Sequence, residues 1–316
     1  MGAVFVLAWV GAIVWPALLL FALWRGVKKG RGPKLFGWSL ILLVTIVWGF
    51  GIRAFLWEPE TLVVRRVEVI SRTWTGAPLR IGVISDTHMG SPHMSVGRLN
   101  SIVREMNAEH PDIVVLLGDY SGGHTPAAQR SKGDRATVMS GLPSLGKLQS
   151  PLGTYAVLGN HDWWFDGPAI EQGLRAQGIS VLENTRARIE RPGGVFWVAG
   201  LADYDSLRTK PSYSDTLGDF EGDEPVLALS HWPDVFAAAP DRIALTLAGH
   251  SHCGQVNLPY FGRLIHASTG SEKWQCGLYE ERGRKLYVTA GVGVSVLPVR
   301  FLQPPEIAVV TLRGES

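Results

Sequence analysis

Five short motifs rich in Asp, His and Asn each follow an apolar run of the sequence. They are Asp86-Thr87-His88, Gly118-Asp119, Gly159-Asn160-His161-Asp162, the lone His231, and Gly249-His250-Ser251-His252. Carboxylate oxygen, amide oxygen and imidazole nitrogen are ligands that divalent ions such as Mn, Fe and Zn accept. The side chains expected to bind metal are Asp86, His88, Asp119, Asn160, His231, His250 and His252. With one carboxylate shared between two ions, this set predicts a two-metal site.

The chemistry that such a site performs is hydrolysis at phosphorus. Paired divalent ions about 3.5–4 Å apart are typical of phosphatases and nucleases. They clamp a phosphoryl oxygen and lower the pKa of a bridging water, so that a metal-bridging hydroxide attacks phosphorus in line. Any single motif could be structural, because Asp86 could cap a helix and Asn160 could occupy a left-handed turn. Five motifs in this order, each at the end of an apolar run, favour the metal site.

The apolar runs themselves predict the elements that position the motifs. They read RIGVIS, DIVVLL, TYAVL, PVLALS and IALTLA, and short buried runs of this kind are typical of β-strands. Ligands in open α/β sheets collect beyond the carboxyl ends of the strands, so five strand ends can deliver the motifs to one crevice. Helices predicted at residues 95–110, 136–148 and 168–176 alternate with the strands, which indicates an α/β fold. The alternating stretch 62–70 predicts an edge strand.

The order of the motifs resembles that of the calcineurin-like metallophosphoesterase superfamily, whose pattern is D-x-H, G-D, G-N-H-D/E, a lone H and G-H-x-H. The resemblance covers residues 80–313 and implies a four-layer α/β/β/α sandwich of two mixed sheets. It also implies a division of the ligands. Asp86, His88 and His252 would hold one ion, and Asn160, His231 and His250 would hold the other. Asp119 would bridge the two ions.

The same resemblance implies catalytic roles for two residues that are not expected to bind metal. His161 would lie over the substrate and donate to a phosphoryl or leaving-group oxygen. Asp162 would hold the imidazole of His161 in orientation, as carboxylates paired with histidine commonly do. Within the superfamily the chain is most similar to membrane-anchored bacterial phosphoesterases of the YaeI/YkuE type, although Cys253 stands where that type usually has Gly.

Two segments near the start of the chain are long and apolar enough to span a bilayer. Residues 3–24 carry no charge, and residues 35–57 carry only Arg53. About 20 apolar residues cross the hydrocarbon core, so two transmembrane helices are predicted, with a buried helical hairpin or a signal peptide as alternatives. The predicted organisation is a membrane anchor at 1–57, a linker with an edge strand at 58–79, and the metallophosphoesterase domain at 80–316.

The charges beside these helices bear on which side of the membrane the catalytic domain occupies. The loop between the helices contains only basic charges: Arg25, Lys28, Lys29, Arg31 and Lys34. Basic loops stay in the cytoplasm, so the catalytic domain is predicted to lie on the extracytoplasmic side of the cell membrane. Arg65, Arg66 and Arg72 follow the second helix and favour the opposite, cytoplasmic placement, which stays open. Cys253 and Cys276 either pair or remain free thiols.

The substrate is predicted from residues near the motifs. Trp163 and Trp164 either line an apolar substrate channel or pack in the core, and Arg300 either contacts a phosphate or lies on the surface. Together with the membrane anchor, an aromatic rim favours a lipid-linked phosphodiester or pyrophosphate. A net charge of +2 on 316 residues indicates no polyanion-binding surface, so no nucleic-acid partner is expected. The alternatives are a metal-dependent nuclease, a protein phosphatase and a non-catalytic binding protein on the same fold.

Overall fold

The predicted four-layer α/β/β/α fold is confirmed: two six-stranded mixed sheets pack face to face, and helices cover their outer faces. The computed structural model describes residues 2–29, 35–218, 220, 222–263 and 266–315. The helices are α1 (Gly2–Lys28), α2 (Leu35–Ile52), α3 (Val96–Ala108), α4 (Lys132–Met139), α5 (Leu142–Leu145), α6 (Asn160–Arg175), α7 (Tyr213–Leu217) and α8 (Thr269–Lys273). The strands are β1 (Val63–Ile70), β2 (Leu79–Ile84), β3 (Ile113–Leu116), β4 (Thr154–Ala156), β5 (Ser180–Val181), β6 (Thr185–Arg191), β7 (Gly194–Gly200), β8 (Val226–Leu229), β9 (Ile243–Ala248), β10 (Asn257–Leu258), β11 (Gly262–Arg263), β12 (Gly277–Glu281), β13 (Arg284–Val288) and β14 (Glu306–Arg313).

The first sheet has the strand order β1-β14-β2-β3-β4-β5. Strands β2 to β5 are parallel to one another, β14 is antiparallel to β2, and β1 is parallel to β14 at the edge. The residues of β3 are buried on both faces, which explains why its sequence reads as a continuous apolar run. Leu99, Ile102 and Met106 of α3 pack on the outer face of this sheet.

The second sheet has the strand order β12-β13-β9-β8-β7-β6. Its central strands β13, β9, β8 and β7 are parallel, and the outer strands β12 and β6 are antiparallel to their neighbours. Between the two sheets, Ile81 and Val83 of β2 share one buried apolar cluster with Leu227 of β8 and Leu245 of β9. This shared core fixes the two sheets face to face, so the carboxyl ends of β2, β3, β8 and β9 can face one crevice.

Two of the predicted helices differ from those in the structure. The segment 136–148 contains the end of α4 and the separate short helix α5. The first helix ends at Met139, and a new helix begins at Leu142 with a proline in its first turn. The helix predicted at 168–176 is the second half of α6, which already begins at Asn160. Asp166 has an extended backbone in the middle of α6 and its carboxylate accepts the N–H of Ala169, so it caps the second half.

Both N-terminal helices are long and apolar enough to cross a membrane. The apolar stretches Ala3–Gly26 and Gly37–Glu60 each comprise 24 residues, with mean hydropathies of 2.4 and 2.0, and almost none of either stretch is buried. Arg31 and Lys34, two of the basic residues predicted to lie in the loop between the helices, fall outside the described residues. The chain leaves α2 through a wide π-helical turn at Arg53–Trp57, where the carbonyl of Ala54 accepts the N–H of Arg300.

Candidate metal centre

The carboxyl ends of five strands bring the predicted ligands to one place. Asp86 and His88 follow β2, Asp119 follows β3, and Asn160 follows β4. His231 follows β8, and His250 and His252 follow β9. All seven side chains are buried although they are polar, and burial of so many polar groups is costly unless they bind one another or a cation.

The first cluster contains Asp86, His88 and His252, whose potential ligand atoms lie within 4.8 Å of one another. The Nε2 atoms of His88 and His252 are 2.9 Å apart. His252 Nε2 also lies 3.5 Å from Asp86 Oδ1, and His88 Nε2 lies 3.5 Å from Asp119 Oδ2. These three side chains therefore surround one position, with Asp119 beside it.

The second cluster contains Asp119, His231 and His250, whose potential ligand atoms also lie within 4.8 Å of one another. His231 Nε2 lies 3.3 Å from Asp119 Oδ2, 3.1 Å from His250 Nδ1 and 3.1 Å from Asn160 Oδ1. The same oxygen, Asp119 Oδ2, is therefore close to imidazole nitrogens of both clusters. This is the geometry that a carboxylate shared between two neighbouring cations requires.

The orientation of His231 fits a cation ligand. Its Nδ1 lies 2.7 Å from the carbonyl oxygen of Leu117, so this nitrogen donates and Nε2 is the nitrogen that faces the cluster and would bind a cation on losing its proton. Around Nε2 lie a carboxylate oxygen, an amide oxygen and a second imidazole nitrogen. A convergence of acceptor atoms in a buried site is the arrangement that a divalent cation satisfies, and the mixture of oxygen and imidazole nitrogen suits Mn, Fe or Zn.

The electrostatics of the cluster also favour cations. Burial would raise the pKa of Asp119, but the imidazoles of His231 and His161 outweigh burial and hold this pKa well below its usual range. Burial would lower the pKa of His231, and the Asp119 carboxylate outweighs burial and raises it to about 10. Burial, together with a neighbouring imidazole, lowers the pKa of both His88 and His250 to about 3, so these two rings are neutral lone-pair donors.

The backbone at the site is held in an uncommon conformation. Positive φ values occur at Asp86, His88, Asp119, His250 and His252, in the left-handed region that residues other than Gly rarely occupy. Such strain persists only where surrounding contacts over-determine the chain, and it clusters at functional sites. Gly159 is required for close approach, because a Cβ at this position would lie 2.3 Å from Asp119 Oδ1.

His161 lies at the edge of the two clusters with its imidazole oriented by the backbone. Its Nδ1 lies 3.0 Å from the carbonyl oxygen of Gly123, so Nδ1 donates and Nε2 points towards the site. His161 Nε2 is 3.9 Å from Asp119 Oδ2 and 3.5 Å from Ser295 Oγ. His161 lines the open pocket, and its potential ligand atom lies within 4.8 Å of those of His88 and Asp119, so it also adjoins the ligand clusters.

Asp162 does not have the contact predicted for it. Its carboxylate accepts the backbone N–H groups of Asp119, Ser121 and Gly159, at 2.9, 3.0 and 2.9 Å. Burial and then the neighbouring Asp119 carboxylate raise its pKa to about 8, while the N–H donors of Gly159 and Ser121 oppose the rise. The orientation of His161 by Asp162 is therefore corrected: Gly123 orients the ring, and Asp162 ties together the two loops that carry Asp119 and Asn160.

The two tryptophans of the predicted substrate channel have different environments. Trp164 lines the pocket over the metal cluster, with its ring centroid 4.6 Å from that of His161. Trp163 is buried in the core between the first sheet and its helices, where it packs against Gly167 and lies beneath the Arg208 guanidinium. The predicted substrate contact of Trp163 is therefore corrected: its side chain is turned into the core, about 100° around the helix from Trp164, and it does not line the pocket.

Arg300 is neither a surface residue nor a phosphate ligand. Its side chain is fully buried, and its guanidinium donates to the backbone carbonyls of Ala290, Gly291 and Gly293 at 2.6–3.1 Å. The Nη2 atom of Arg300 also lies 3.4 Å from His252 Nδ1. The predicted phosphate contact is therefore corrected: with its donors occupied by the backbone, Arg300 shapes the loop that passes beneath a predicted ligand.

Cys253 and Cys276 form a disulfide, with Cα atoms 4.8 Å apart. The sequence left their pairing open because the separation of two cysteines in space cannot be read from their spacing along the chain. The bond is adjacent to His252 and closes a segment that contains the β10–β11 hairpin and α8. It covalently connects the loop of the last metal motif to the start of β12.

Two further residues contribute to the site without having been predicted. His124 lines the pocket, and its ring centroid lies 4.8 Å from that of His161 and 5.2 Å from that of Trp164. Asp203 is buried and accepts the indole N–H of Trp232, which follows the predicted ligand His231. Asp203 also follows an apolar strand, β7, so the argument from strand ends could have found it, whereas His124 lies in a polar loop without any such signal.

A four-layer sandwich with these two Asp/His clusters at its strand ends defines a metal-dependent phosphoesterase. The chain belongs to the calcineurin-like phosphoesterase family, which matches residues 79–254, so the resemblance predicted from the motifs is confirmed. It is 30% identical over 240 residues to the uncharacterized metallophosphoesterase YkuE of Bacillus subtilis (strain 168), a similarity that covers 75% of this chain and 80% of that protein.

Two other relatives are similar to the same part of the chain. An uncharacterized metallophosphoesterase of Aquifex aeolicus (strain VF5) is 28% identical over 248 residues, covering 76% of this chain and 87% of that protein. A Danio rerio protein described as a transmembrane protein with metallophosphoesterase domain is 30% identical over 249 residues, covering 74% of this chain. This chain covers 53% of the Danio rerio protein.

Proposed function

We propose that this protein is a membrane-anchored phosphoesterase that hydrolyses phosphodiester or pyrophosphate bonds with the help of two divalent ions, Mn, Fe or Zn. The observation that carries the proposal is the position of Asp119 Oδ2, 3.5 Å from His88 Nε2 and 3.3 Å from His231 Nε2. One carboxylate oxygen thus adjoins both ligand clusters. Bound there, divalent ions would polarise a phosphoryl oxygen and activate water for attack on phosphorus.

The distances between the potential ligand atoms suggest how the predicted ligands would divide between the two ions. Asp86, His88 and His252 would hold one ion, Asn160, His231 and His250 the other, and Asp119 both. The chain's own contribution is to hold these atoms in place before substrate arrives. The carbonyls of Leu117 and Ser121 fix the rings of His231 and His88 through their Nδ1 atoms, at 2.7 and 3.3 Å.

His161 is the proposed general acid. Because its Nδ1 is held by the Gly123 carbonyl, Nε2 is the nitrogen that faces the pocket, from which a proton could pass to a departing oxygen. The Asp119 carboxylate lies 3.9 Å from Nε2, so this nitrogen stands beside the two ligand clusters. Trp164 and His124 pack beside the imidazole and limit the directions from which a leaving group can approach.

A lipid-linked substrate is supported by the lining of the pocket. Trp164, Val296 and Leu297 supply apolar surface at the opening, opposite the polar floor formed by the predicted ligands. A phosphoester head against the floor and an apolar group against Trp164 and Leu297 would satisfy both surfaces. A nuclease is less well supported, because the net charge of +2 offers no strongly basic surface for a polyanion.

An extracytoplasmic catalytic domain is supported by two observations. The disulfide between Cys253 and Cys276 is of a kind that persists in oxidising compartments and is rare in the cytosol. Arg65 and Arg66, which argued for a cytoplasmic domain, lie within β1 and pair with Glu306 and Glu109. They are therefore part of the folded domain rather than of a basic loop beside the membrane.

The test is hydrolysis of bis-p-nitrophenyl phosphate and p-nitrophenyl phosphate by the full chain in detergent, with added Mn²⁺. Asp119→Asn should abolish activity, and His161→Asn should lower it by about 10²–10⁴-fold, the range for a general acid. His110→Asn changes an exposed histidine far from the pocket and serves as the matched control. Mn²⁺-dependent activity that survives Asp119→Asn would refute the proposal, and the preferred ester would distinguish a diesterase from a monoesterase.

A further inference from the structure

The N-terminal helices and the metal site lie at the same end of the first sheet. Strand β1 begins where the chain leaves the second helix, and Val63 pairs with Glu306 at the start of β14. Since β14 is antiparallel to β2 and Ala308 pairs with Val83, Glu306 lies beside the carboxyl end of β2, just before Asp86. A membrane crossed by α2 would therefore adjoin the end of the sheet that carries the metal site.

The opposite end of the molecule provides a reference point. The turn between β6 and β7 contains Pro192, which is exposed, and the neighbouring Gly193 carbonyl accepts the N–H of Ala77 just before β2 begins. This turn thus lies at the amino end of β2, one sheet length away from the metal site. A label at Pro192 would therefore lie far from a membrane at the metal-site end of the sheet and can serve as a control for labels placed at that end.

Exposed apolar side chains lie on the hairpin and on the pocket loop, which are joined through Phe301, and we call them together the apolar rim: Tyr260, Phe261, Val296, Leu297 and Leu302. Tyr260 and Phe261 occupy the tip of the β10–β11 hairpin and are almost fully solvent-exposed, at 106% and 76%. Val296 and Leu297 are exposed at the opening of the pocket. Adjacent aromatic residues at a hairpin tip are costly to leave in water, so such a patch marks an interaction surface.

The rim is connected to the second helix by specific contacts. Phe301 packs its ring against Phe50 of α2 with centroids 5.7 Å apart, and the N–H of Arg300 donates to the carbonyl of Ala54. On its other side the carbonyl of Phe301 accepts the N–H of Asn257 at the base of the hairpin. The hairpin, the pocket loop and the end of α2 are therefore joined through one short segment.

We propose that the apolar rim inserts into the lipid bilayer that α1 and α2 cross, so that the metal site opens at the level of the lipid headgroups. The inference rests on the membrane anchoring in the proposed function and gives its site a substrate class: amphipathic phosphoesters that are still embedded in the membrane. Tyrosine and phenylalanine suit this depth, since aromatic rings are favoured at the boundary between headgroups and acyl chains. Leu302 and Trp57 line one pocket beside the end of α2, so the rim residue Leu302 adjoins the chain that leaves this helix.

The experiment measures the depth of single labelled positions in the full chain. Tyr260→Cys, Pro192→Cys and Ile46→Cys would each carry an environment-sensitive fluorophore, attached without reductant so that the Cys253–Cys276 disulfide stays closed. Ile46 is an exposed residue of α2 and reports whether that helix is in the bilayer. Each protein is placed in phosphatidylcholine nanodiscs with or without lipid brominated in its acyl chains, and quenching of the label is compared.

The inference expects quenching by brominated lipid at Tyr260 and Ile46, and none at Pro192. Quenching at Ile46 without quenching at Tyr260 would overturn the inference while leaving the anchor intact; it would point to a protein partner for the rim. Absence of quenching at Ile46 would overturn the anchoring and the inference together. None of these outcomes depends on hydrolysis, so the catalytic part of the proposed function is tested separately.

A second variant connects the rim to substrate choice. The double substitution Tyr260→Asp and Phe261→Asp places two charges on the hairpin tip, away from the residues that line the pocket. Hydrolysis of soluble bis-p-nitrophenyl phosphate should be unchanged, whereas hydrolysis of hexadecyl p-nitrophenyl phosphate held in the nanodisc should fall about tenfold. An equal effect, or no effect, on the two substrates would contradict insertion of the rim.

Discussion

The indole of Trp232 stacks on the imidazole of His250, with ring centroids 3.8 Å apart and planes inclined by 25°. The same indole donates its N–H to Asp203 Oδ2 at 2.8 Å. Asp203 is buried, and desolvation by burial raises its pKa to about 7. A predicted metal ligand is therefore held from behind by an aromatic ring, and that ring is itself held by a buried carboxyl group.

Replacement of Trp232 should weaken metal binding without removing any ligand. Trp232→Ala leaves the His250 ring free to rotate away from His231, and residues that orient metal ligands commonly change affinity by about 10–100-fold. Mn²⁺ affinity measured by calorimetry would check this. Trp232→Phe keeps a stacking surface and should retain most of the affinity, so equal losses in the two variants would contradict a role for the stack.

Metal binding should become tighter as the pH rises. The pKa of His231 is raised to about 10 and that of Asp86 to about 6, so at neutral pH a cation must displace the proton of His231, and below about pH 6 also that of Asp86. Each displaced proton weakens apparent affinity tenfold per unit of falling pH. Calorimetry in buffers of different ionisation enthalpy should detect proton release; affinity independent of pH would contradict the argument.

Asp162 should matter for stability through its backbone partners. Asp162→Ala leaves the N–H groups of Asp119, Ser121 and Gly159 without their acceptor in a buried place, and should cost about 3 kcal/mol or more of the free energy of unfolding. Asp162→Asn keeps one amide oxygen as acceptor and should cost less. The measurement is thermal unfolding of both variants in the same detergent. A variant that is inactive yet as stable as the wild type would favour the catalytic role instead.

The disulfide should stabilise the domain rather than act in catalysis. Cys253 and Cys276 are 23 residues apart, and closing a loop of this length contributes about 3 kcal/mol in the chain-entropy description. The double substitution Cys253→Ala and Cys276→Ala should lower stability by about this amount while Mn²⁺-dependent hydrolysis survives at low temperature. Mass spectrometry of the unreduced protein would show whether the two sulfurs are joined, and two free thiols would contradict the bond.

The outline of the fold could be predicted from sequence because a buried strand appears as a short run of consecutive apolar residues. The runs before Asp86, Asp119, Asn160, His231 and His250 are apolar and short, and each is followed at once by the polar group that it positions. Two of the three contacts of Asp162, by contrast, join residues more than 40 positions away through backbone N–H groups, which carry no sequence signal. The predicted partner, His161, came from the family resemblance and from the common pairing of a carboxylate with histidine, neither of which indicates these backbone contacts.

The errors at Trp163 and Arg300 have a common cause. Whether a residue faces a pocket or the core depends on where its helix or loop begins, and the sequence placed the start of α6 eight positions late, at 168 instead of 160. Without the position of the first residue of α6, the sequence could not show which of Trp163 and Trp164 faces the pocket. Arg300 lies in an irregular segment, where no periodicity indicates which side is buried, so its set of carbonyl partners was not predictable.

The pairing of β1 with β14 has a consequence for biosynthesis. β1, the first strand after α1 and α2, pairs with β14 (Glu306–Arg313), the last strand among the described residues, and β14 also separates β1 from β2. While the ribosome is still adding the residues before β14, β1 has no neighbour to pair with, even if α1 and α2 have entered a bilayer as proposed. The first sheet can therefore close only once β14 has been synthesised, and a chain shortened before residue 306 would keep an open edge available for aggregation or proteolysis.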